Sequence, residues 1–198
     1  MKNENVSFIL PFLLWVIVTL AYAFRSTLQS AGFPIDPYFS LLYAFPVILL
    51  ILNKISSADM GFRIGKPLYG LYFLLLLPGI LFLRYYFMGL QMQLAANWLI
   101  LVVGSVAEEF FFRGYLQSQF EKSFNNTTIS FSLTNFLFLL VHVVKGYSLL
   151  SSLMTGLIGV YFSFAKDKSG GDSLAYSAGA HSLYNLVTSS VQRIGVNL

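Results

Sequence analysis

Long apolar runs alternate with short polar segments along the whole chain. Seven of these runs approach the length of about 20 residues that a helix needs to cross a membrane. We predict helices over residues 6–24, 37–53, 67–83, 93–120, 128–144, 147–165 and 173–192. Since no repeat, linker or low-complexity tract interrupts them, the pattern predicts a single all-α transmembrane domain, a polytopic helix bundle over residues 1–198.

The composition identifies the lipid bilayer as the solvent of this bundle. Hydrophobic residues make up 57% of the chain and charged residues 10%, whereas soluble domains carry roughly 25% charged residues. The chain lacks cysteine, which excludes disulfides, thiolate metal ligands and a cysteine nucleophile. Membrane topology accounts for the net charge of +4, so we expect no nucleic-acid partner.

The distribution of basic residues predicts the orientation of the bundle. The run over residues 6–24 resembles a signal peptide, but its length and the lack of a small-x-small cleavage site favour a retained helix. With seven crossings, the N-terminal side receives Lys2, Lys54, Arg63, Lys66, Arg113, Lys122, Lys166 and Lys168, and the opposite side receives Arg25, Arg84, Lys145 and Arg193. The side richer in Lys and Arg faces the cytoplasm. We therefore expect a cytoplasmic N-terminus, with Arg113 treated as a loop residue.

Glu108 and Glu109 are adjacent within an apolar helix. An ionisable side chain at the centre of a membrane helix costs roughly 2.5 to 3.5 kcal/mol on insertion scales, so such groups usually pair or take part in chemistry. Glu109 and Arg113 are one turn apart and can neutralise each other, although a guanidinium could instead bind a substrate carboxylate. Glu108 is left without a partner in its own helix, and we predict that it is the general acid or base. The alternative is that both glutamates only join helices through ion pairs.

His142 is the next polar residue at membrane depth. A turn near Asn125 makes the fourth and fifth predicted helices an antiparallel hairpin, and Glu108 precedes Asn125 by as many residues as His142 follows it. Equal rise along the two helices then places Glu108 and His142 at the same depth. Phe138, one turn before His142, is expected to pack beneath the imidazole, and Asn135 is expected to form a hydrogen bond between helices.

The last predicted helix carries His181 and Asn185 on one face, one turn apart. Their side chains supply two hydrogen-bond donors aimed at one point, which is what stabilising a developing oxyanion requires. The small residues before His181 allow a neighbouring helix to approach closely. The alternative is that His181 and Asn185 only form hydrogen bonds between helices.

These residues together complete a set for hydrolysing an amide with activated water. Glu108 is the predicted base, His142 orients or shares the water, and His181 with Asn185 stabilises the oxyanion. Ser105, about one turn before Glu108, is the alternative in which a serine acts as nucleophile.

Zinc is the alternative to this mechanism, because histidine and glutamate are both zinc ligands. A typical zinc protease places two histidines one turn apart on one helix, with a glutamate between them. Here His142 and His181 lie on separate predicted helices, and Asn185 is a poor zinc ligand. We therefore expect neither a metal nor another cofactor.

Three short motifs occur in a fixed order along the second half of the chain. They are Glu-Glu-x-x-x-Arg at Glu108, Glu109 and Arg113, Phe-x-x-x-His at Phe138 and His142, and His-x-x-x-Asn at His181 and Asn185. Over about residues 100–190 the chain resembles the type II CAAX prenyl endopeptidases and their bacterial and archaeal relatives, the CPBP intramembrane proteases. The resemblance implies a multi-helix bundle with a polar cavity inside the membrane. It also implies that Glu108 and His142 activate water and that His181 and Asn185 form the oxyanion hole.

The resemblance implies an intramembrane endopeptidase of the glutamic type that acts on a membrane protein or peptide. The short chain without soluble extensions favours a prokaryotic plasma-membrane protein. Relatives of that kind process peptide leaders or pheromones, take part in bacteriocin immunity, or cleave C-terminal sorting signals as the proposed myxosortases do. The alternative is a non-proteolytic immunity or adaptor protein that uses the same polar cluster for binding.

Overall fold

The computed structural model of the protein describes residues 8–33, 35–52, 54–63, 65–169 and 173–192. It is an all-α structure, as predicted. Its elements in chain order are α1 Ile9–Ala23, α2 Arg25–Ser30, α3 Pro37–Ile51, α4 Pro67–Phe87, β1 Gln91–Met92, α5 Trp98–Glu109, a π-helix Phe110–Gln117, α6 Ser118–Phe124, α7 Thr127–Val144, α8 Leu149–Lys168, α9 Leu174–Ser189 and β2 Val191–Gln192. The antiparallel pair β1 and β2 joins the α4–α5 connection to the end of α9.

Each of the seven predicted runs coincides with a helical segment, and α5, the π-helix and α6 together form the fourth. Within the described residues, three helices are long and apolar enough to cross a membrane, namely α4, α7 and α8, while α1 and α3 are shorter apolar helices. The protein is therefore a membrane protein, and a count of seven crossings stays a prediction. The predicted helix boundaries at residues 6 and 53 lie outside the described residues.

Local sequence signals determine where the helices that carry the site begin and end. Asp36 accepts a hydrogen bond from the backbone N–H of Tyr38 at 2.9 Å and so caps α3, which has proline at its first position. Asn125 adopts a left-handed conformation with φ 48° and ends α6. Asn126 then caps α7 through the N–H of Ile129 at 3.1 Å. The predicted turn near Asn125 is confirmed.

The apolar core lies between α1, α3, the π-helix and α7. Its fully buried members include Val18, Tyr38, Leu42, Phe111, Phe112, Leu116, Phe120, Leu137 and Phe138. The indole N–H of Trp15 in α1 donates to the backbone oxygen of Leu137 in α7 at 3.2 Å. Helix α1 is thus packed into the bundle, and its retention rather than removal as a signal peptide stays a prediction.

Large apolar side chains also cover the outside of the bundle. Leu68, Phe87 and Ile51 are 82%, 80% and 72% exposed, as expected of surfaces that contact lipid rather than water. Inside the bundle, Gly70 of α4 lies against the ring of Tyr176 in α9. A side chain at position 70 would collide with that ring, so Gly70 allows α4 and α9 to pack closely.

Two basic residues that the topology argument assigned to loops lie inside the bundle. Arg113 is completely buried in the π-helix, and Lys166 is buried in α8. Treating Arg113 as a loop residue was therefore wrong, because its charge is balanced by Glu109 within the protein and requires no aqueous loop. Lys2 and Arg193 lie outside the described residues, and the cytoplasmic N-terminus stays a prediction.

Candidate active site

A pocket of about 380 Å³ opens between α5, α7, α8 and α9. Its polar lining comprises Ser105, Glu108, His142, Lys145, Tyr147, Thr155, His181, Tyr184, Asn185, Thr188 and Ser189. The four residues predicted to carry out catalysis are all among them, although the helices that contribute them are far apart in sequence. Phe138 also lines the pocket, whereas Glu109 and Arg113 are buried behind it.

Glu108 faces the pocket from the end of α5 and is buried, with 8% of its side chain exposed. Its Oε1 accepts a hydrogen bond from the hydroxyl of Tyr38 at 3.1 Å and forms an ion pair with Nζ of Lys145. Its Oε2 lies 3.9 Å from Nε2 of His181. Glu108 thus has no partner in its own helix, as predicted, but it has two hydrogen-bond partners, Tyr38 and Lys145, in other parts of the chain.

Glu109 is the centre of a buried network on the far side of the helix. Its Oε1 accepts from Nη1 of Arg113 at 3.0 Å and lies 2.9 Å from Nδ1 of His181. Its Oε2 accepts from the hydroxyl of Ser177. The predicted ion pair of Glu109 with Arg113 is therefore present, and Glu109 also orients the His181 ring.

Arg113 connects the acid pair to α7 and α8. Its Nη2 donates to Oδ1 of Asn135 at 3.0 Å and to the backbone oxygen of Gly159 at 2.9 Å. The guanidinium lies 4.3 Å from the ring centroid of Phe138, a favourable cation–π geometry. These contacts bury the guanidinium on all sides, which favours a positioning role over the binding of a substrate carboxylate.

His142 is held by its own helix and by aromatic rings. Its Nδ1 is 2.8 Å from the backbone oxygen of Phe138. Since that oxygen can only accept, Nδ1 carries the proton, and Nε2 can accept a proton when the imidazole is neutral. The ring of Phe138 packs at 4.6 Å, as predicted, and Tyr147 packs at 5.2 Å on another side.

His181 stacks on Phe162 of α8, with ring centroids 4.5 Å apart and an interplanar angle of 18°. One turn further along α9, Nδ2 of Asn185 donates to the hydroxyl of Ser105 at 2.8 Å. That hydroxyl in turn donates to the backbone oxygen of Leu101 at 2.7 Å. The Ser105 hydroxyl thus directs its proton at Leu101 and accepts from the Asn185 amide with its oxygen, which is an unfavourable arrangement for a nucleophile.

The π-helix begins at Phe110, directly after the acid pair. Such segments are rare and often occur at functional sites. Nζ of Lys166 donates to the backbone oxygen of Arg113 at 2.9 Å and to the hydroxyl of Ser118 at 2.8 Å. A buried cation thus supports this irregular backbone from α8.

The side chains offer a poor fit to a metal ion. Within the described residues there is no group of three or more histidine, cysteine or acidic side chains arranged to hold one. Independence from metal stays a prediction.

Sequence reasoning missed several residues that complete the site. Ser177 lies one turn before His181, and Lys145 lies about one turn after His142, so helical spacing could have identified both. Tyr38 and Gly159 belong to helices without a motif, and their contacts with the site arise only from packing. Nothing in the sequence marks these two positions.

The bundle and its pocket define an all-α membrane protein with two carboxylates, two histidines and an asparagine gathered between helices. The family model described as "Type II CAAX prenyl endopeptidase Rce1-like" matches residues 90–187, the segment that carries all of these residues. The chain belongs to this CAAX protease-like family, which is a family of proteases. No curated protein and no solved structure matches the chain.

Proposed function

We propose that the protein is an intramembrane endopeptidase of the glutamic type, with a cavity that places water at membrane depth. The observation that supports this proposal best is the single pocket shared by Glu108, His142, His181 and Asn185 in a bundle whose surface is apolar. Buried carboxylates and imidazoles are expensive in such surroundings and are usually retained for function. Membership of a protease family makes hydrolysis the simplest use for them.

Glu108 removes a proton from a water molecule in the pocket, with Nε2 of His142 as the second acceptor that orients it. The hydroxide adds to the carbonyl carbon of the scissile amide, and the carbonyl oxygen becomes an oxyanion. Asn185 donates to this oxyanion through its side-chain amide. His181 is the second donor to the oxyanion, through Nε2, while its Nδ1 stays in contact with Glu109. The oxyanion then collapses to a carboxyl group, the carbon–nitrogen bond breaks, and the proton held by Glu108 passes to the nitrogen of the leaving amine.

The substrate class that suits this site is a membrane protein or a membrane-associated peptide. The family description names prenylated CAAX substrates, and a shorter unprenylated peptide uses the same chemistry. We place the N-terminus in the cytoplasm, since Lys54, Arg63 and Lys66 lie in or next to the loop between α3 and α4.

The test is cleavage of a synthetic peptide library, with and without chelator, by wild type and Glu108→Gln in proteoliposomes. Mass spectrometry identifies the products. Glu121→Gln is the matched control, because Glu121 is a surface glutamate of α6 that accepts from Thr127. We expect wild type and Glu121→Gln to cleave, with chelator present or absent, and Glu108→Gln to be inactive.

Three outcomes would contradict the proposal. Cleavage that survives in Glu108→Gln would exclude Glu108 as the base, and cleavage abolished by chelator would indicate a metalloprotease. If wild type cleaves no peptide while Glu108→Gln and wild type fulfil the same cellular role, the protein is a non-proteolytic immunity or adaptor protein.

A further inference from the structure

The two oxygens of the Glu108 carboxylate have different surroundings. Oε1 is bonded by the Tyr38 hydroxyl and by Nζ of Lys145. Within the described part of the chain, Oε2 accepts no hydrogen bond and lies 3.9 Å from Nε2 of His181 on the pocket side. One oxygen is thus hydrogen-bonded by Tyr38 and Lys145, and the other faces Nε2 of His181 without a hydrogen bond.

Tyr38 is held rigidly by its neighbours. Its side chain is completely buried, and its ring makes edge contacts with Tyr22 of α1 and with Phe39, each with centroids 5.2 Å apart. Helix α3 lies outside residues 90–187, the segment that the family model matches. The N-terminal part of the chain therefore contributes directly to the surroundings of Glu108.

Lys145 reaches the same oxygen from the end of α7. The chain turns sharply at Gly146, which has φ 84°, and this turn leaves the Lys145 side chain directed back into the bundle. Nζ of Lys145 lies 4.6 Å from the ring centroid of Tyr38 and 5.6 Å from that of Tyr22. The ammonium is thus fixed by a carboxylate and by two aromatic faces.

We propose that Tyr38 and Lys145 are positioning residues that hold Oε1 of Glu108, so that Oε2 is the oxygen that takes the proton from water. This inference rests on the proposed function. Lys145 also keeps the Glu108 carboxylate charged in apolar surroundings, which a general base requires. The pairing fixes the carboxylate plane, so the direction of Oε2 does not depend on the substrate.

Other titratable and charged groups lie around Glu108, and the experiment has to separate their effects from the effect of Lys145. His142 faces it from α7 and His181 from α9, while Glu109 and Arg113 follow it along its own helix. None of them is changed in the variants below. Because Lys145 also lies close enough to act on His142, the pH profile is read together with an infrared titration that is specific for the Glu108 carboxyl.

Variants of Lys145 test the electrostatic part of the proposal. The probe is a fluorogenic form of the library peptide that wild type cleaves fastest. Lys145→Met should move the acidic limb of the pH–rate profile upward by about one to three pH units, because the charged form of Glu108 loses its nearby cation. Lys145→Arg should restore the wild-type limb. The control is Lys122→Met, which removes a surface cation paired with Asp59 and should leave the profile unchanged.

A variant of Tyr38 tests the geometric part. Tyr38→Phe keeps the ring and removes only the hydroxyl, and it should lower kcat about ten- to a hundredfold at constant KM, the loss expected for a hydrogen bond to a charged group. Tyr43→Phe is the matched control, since the Tyr43 hydroxyl of the same helix donates to the backbone oxygen of Val103 at 2.8 Å. We expect Tyr43→Phe to keep the wild-type kcat.

An infrared titration distinguishes failure of this inference from failure of the proposed function. The difference spectrum between each protein and its Glu108→Gln counterpart isolates the Glu108 carboxyl without any substrate. The protonated band should appear at higher pH in Lys145→Met than in wild type, whether or not a peptide is cleaved. Coincident titrations in the two proteins would overturn the inference. Higher activity in Lys145→Met would also overturn it, since Lys145 would then block the site.

Discussion

Gly159 lies where α8 contacts the buried guanidinium, and a methyl group there should disturb the whole site. A Cβ at this position would lie 2.6 Å from Nη2 of Arg113, 2.7 Å from Oδ1 of Asn135 and 3.0 Å from Cδ1 of Phe138. All three distances are shorter than van der Waals contact. Arg113 cannot move away freely, because Glu109, Asn135 and the Gly159 carbonyl bind it.

The magnitude follows from these contacts. Overpacking a core costs about 1 to 3 kcal/mol, and displacing Arg113 loses at least one charged hydrogen bond of about 1.5 to 3 kcal/mol. Replacing a helical glycine by alanine stabilises the helix by about 1 kcal/mol, which offsets part of this loss. We therefore expect Gly159→Ala to lower the free energy of unfolding by about 1.5 to 5 kcal/mol, which corresponds to a fall in Tm of at least about 3 °C.

Thermal unfolding in detergent, followed by circular dichroism, measures this change. Gly79→Ala is the matched control, since Gly79 is an interior residue of the membrane helix α4 and a Cβ there would meet nothing within 4 Å. We expect its Tm to equal or exceed that of wild type. A Gly159→Ala protein as stable as Gly79→Ala would refute the argument that Arg113 is rigidly held.

Two further predictions concern the serine alternative and a loop outside the membrane. Ser105→Ala should lower the steady-state cleavage rate only about fivefold, which is the value of one neutral hydrogen bond to Asn185. If Ser105 were the nucleophile, the same substitution would abolish cleavage. Burial raises the pKa of Asp59, but hydrogen bonds from Lys122 and Ser56 outweigh burial and leave the pKa below its ordinary 3.8. The resulting stability is present above that pH and is lost as the pH falls below it, so hydrogen exchange around Asp59 should accelerate there relative to an Asp59→Asn control. Equal acceleration in both proteins would show that the carboxylate is not responsible.

The helices were predictable because a membrane allows few alternatives. Long apolar runs in lipid must satisfy their own backbone hydrogen bonds, so apolar length is sufficient to predict a helix. The hairpin turn at Asn125 and the ion pair of Glu109 with Arg113 followed from turn chemistry and from helical spacing. The prediction that Arg113 and Lys166 lie in loops was wrong, because assigning basic residues to the two sides of the membrane assumes that every Lys and Arg faces water.

Only the site residues that belong to one of the three motifs could be predicted from the sequence. Phe138, His142, His181 and Asn185 lie at helical spacing, so their faces could be derived from the sequence. The ordering of the motifs identified the family. The catalytic roles of these residues stay predictions until the variants are measured.

The sequence by itself thus determined the all-α membrane class, the family and the motif residues that meet in the pocket, since these depend on apolar length and on local spacing. Only the tertiary structure decided which oxygen of Glu108 is occupied, that Tyr38 and Lys145 occupy it, and that Gly159 accommodates Arg113. The physical reason is that these contacts join residues distant in the chain. Helix packing, rather than any local pattern, brings them within hydrogen-bonding distance.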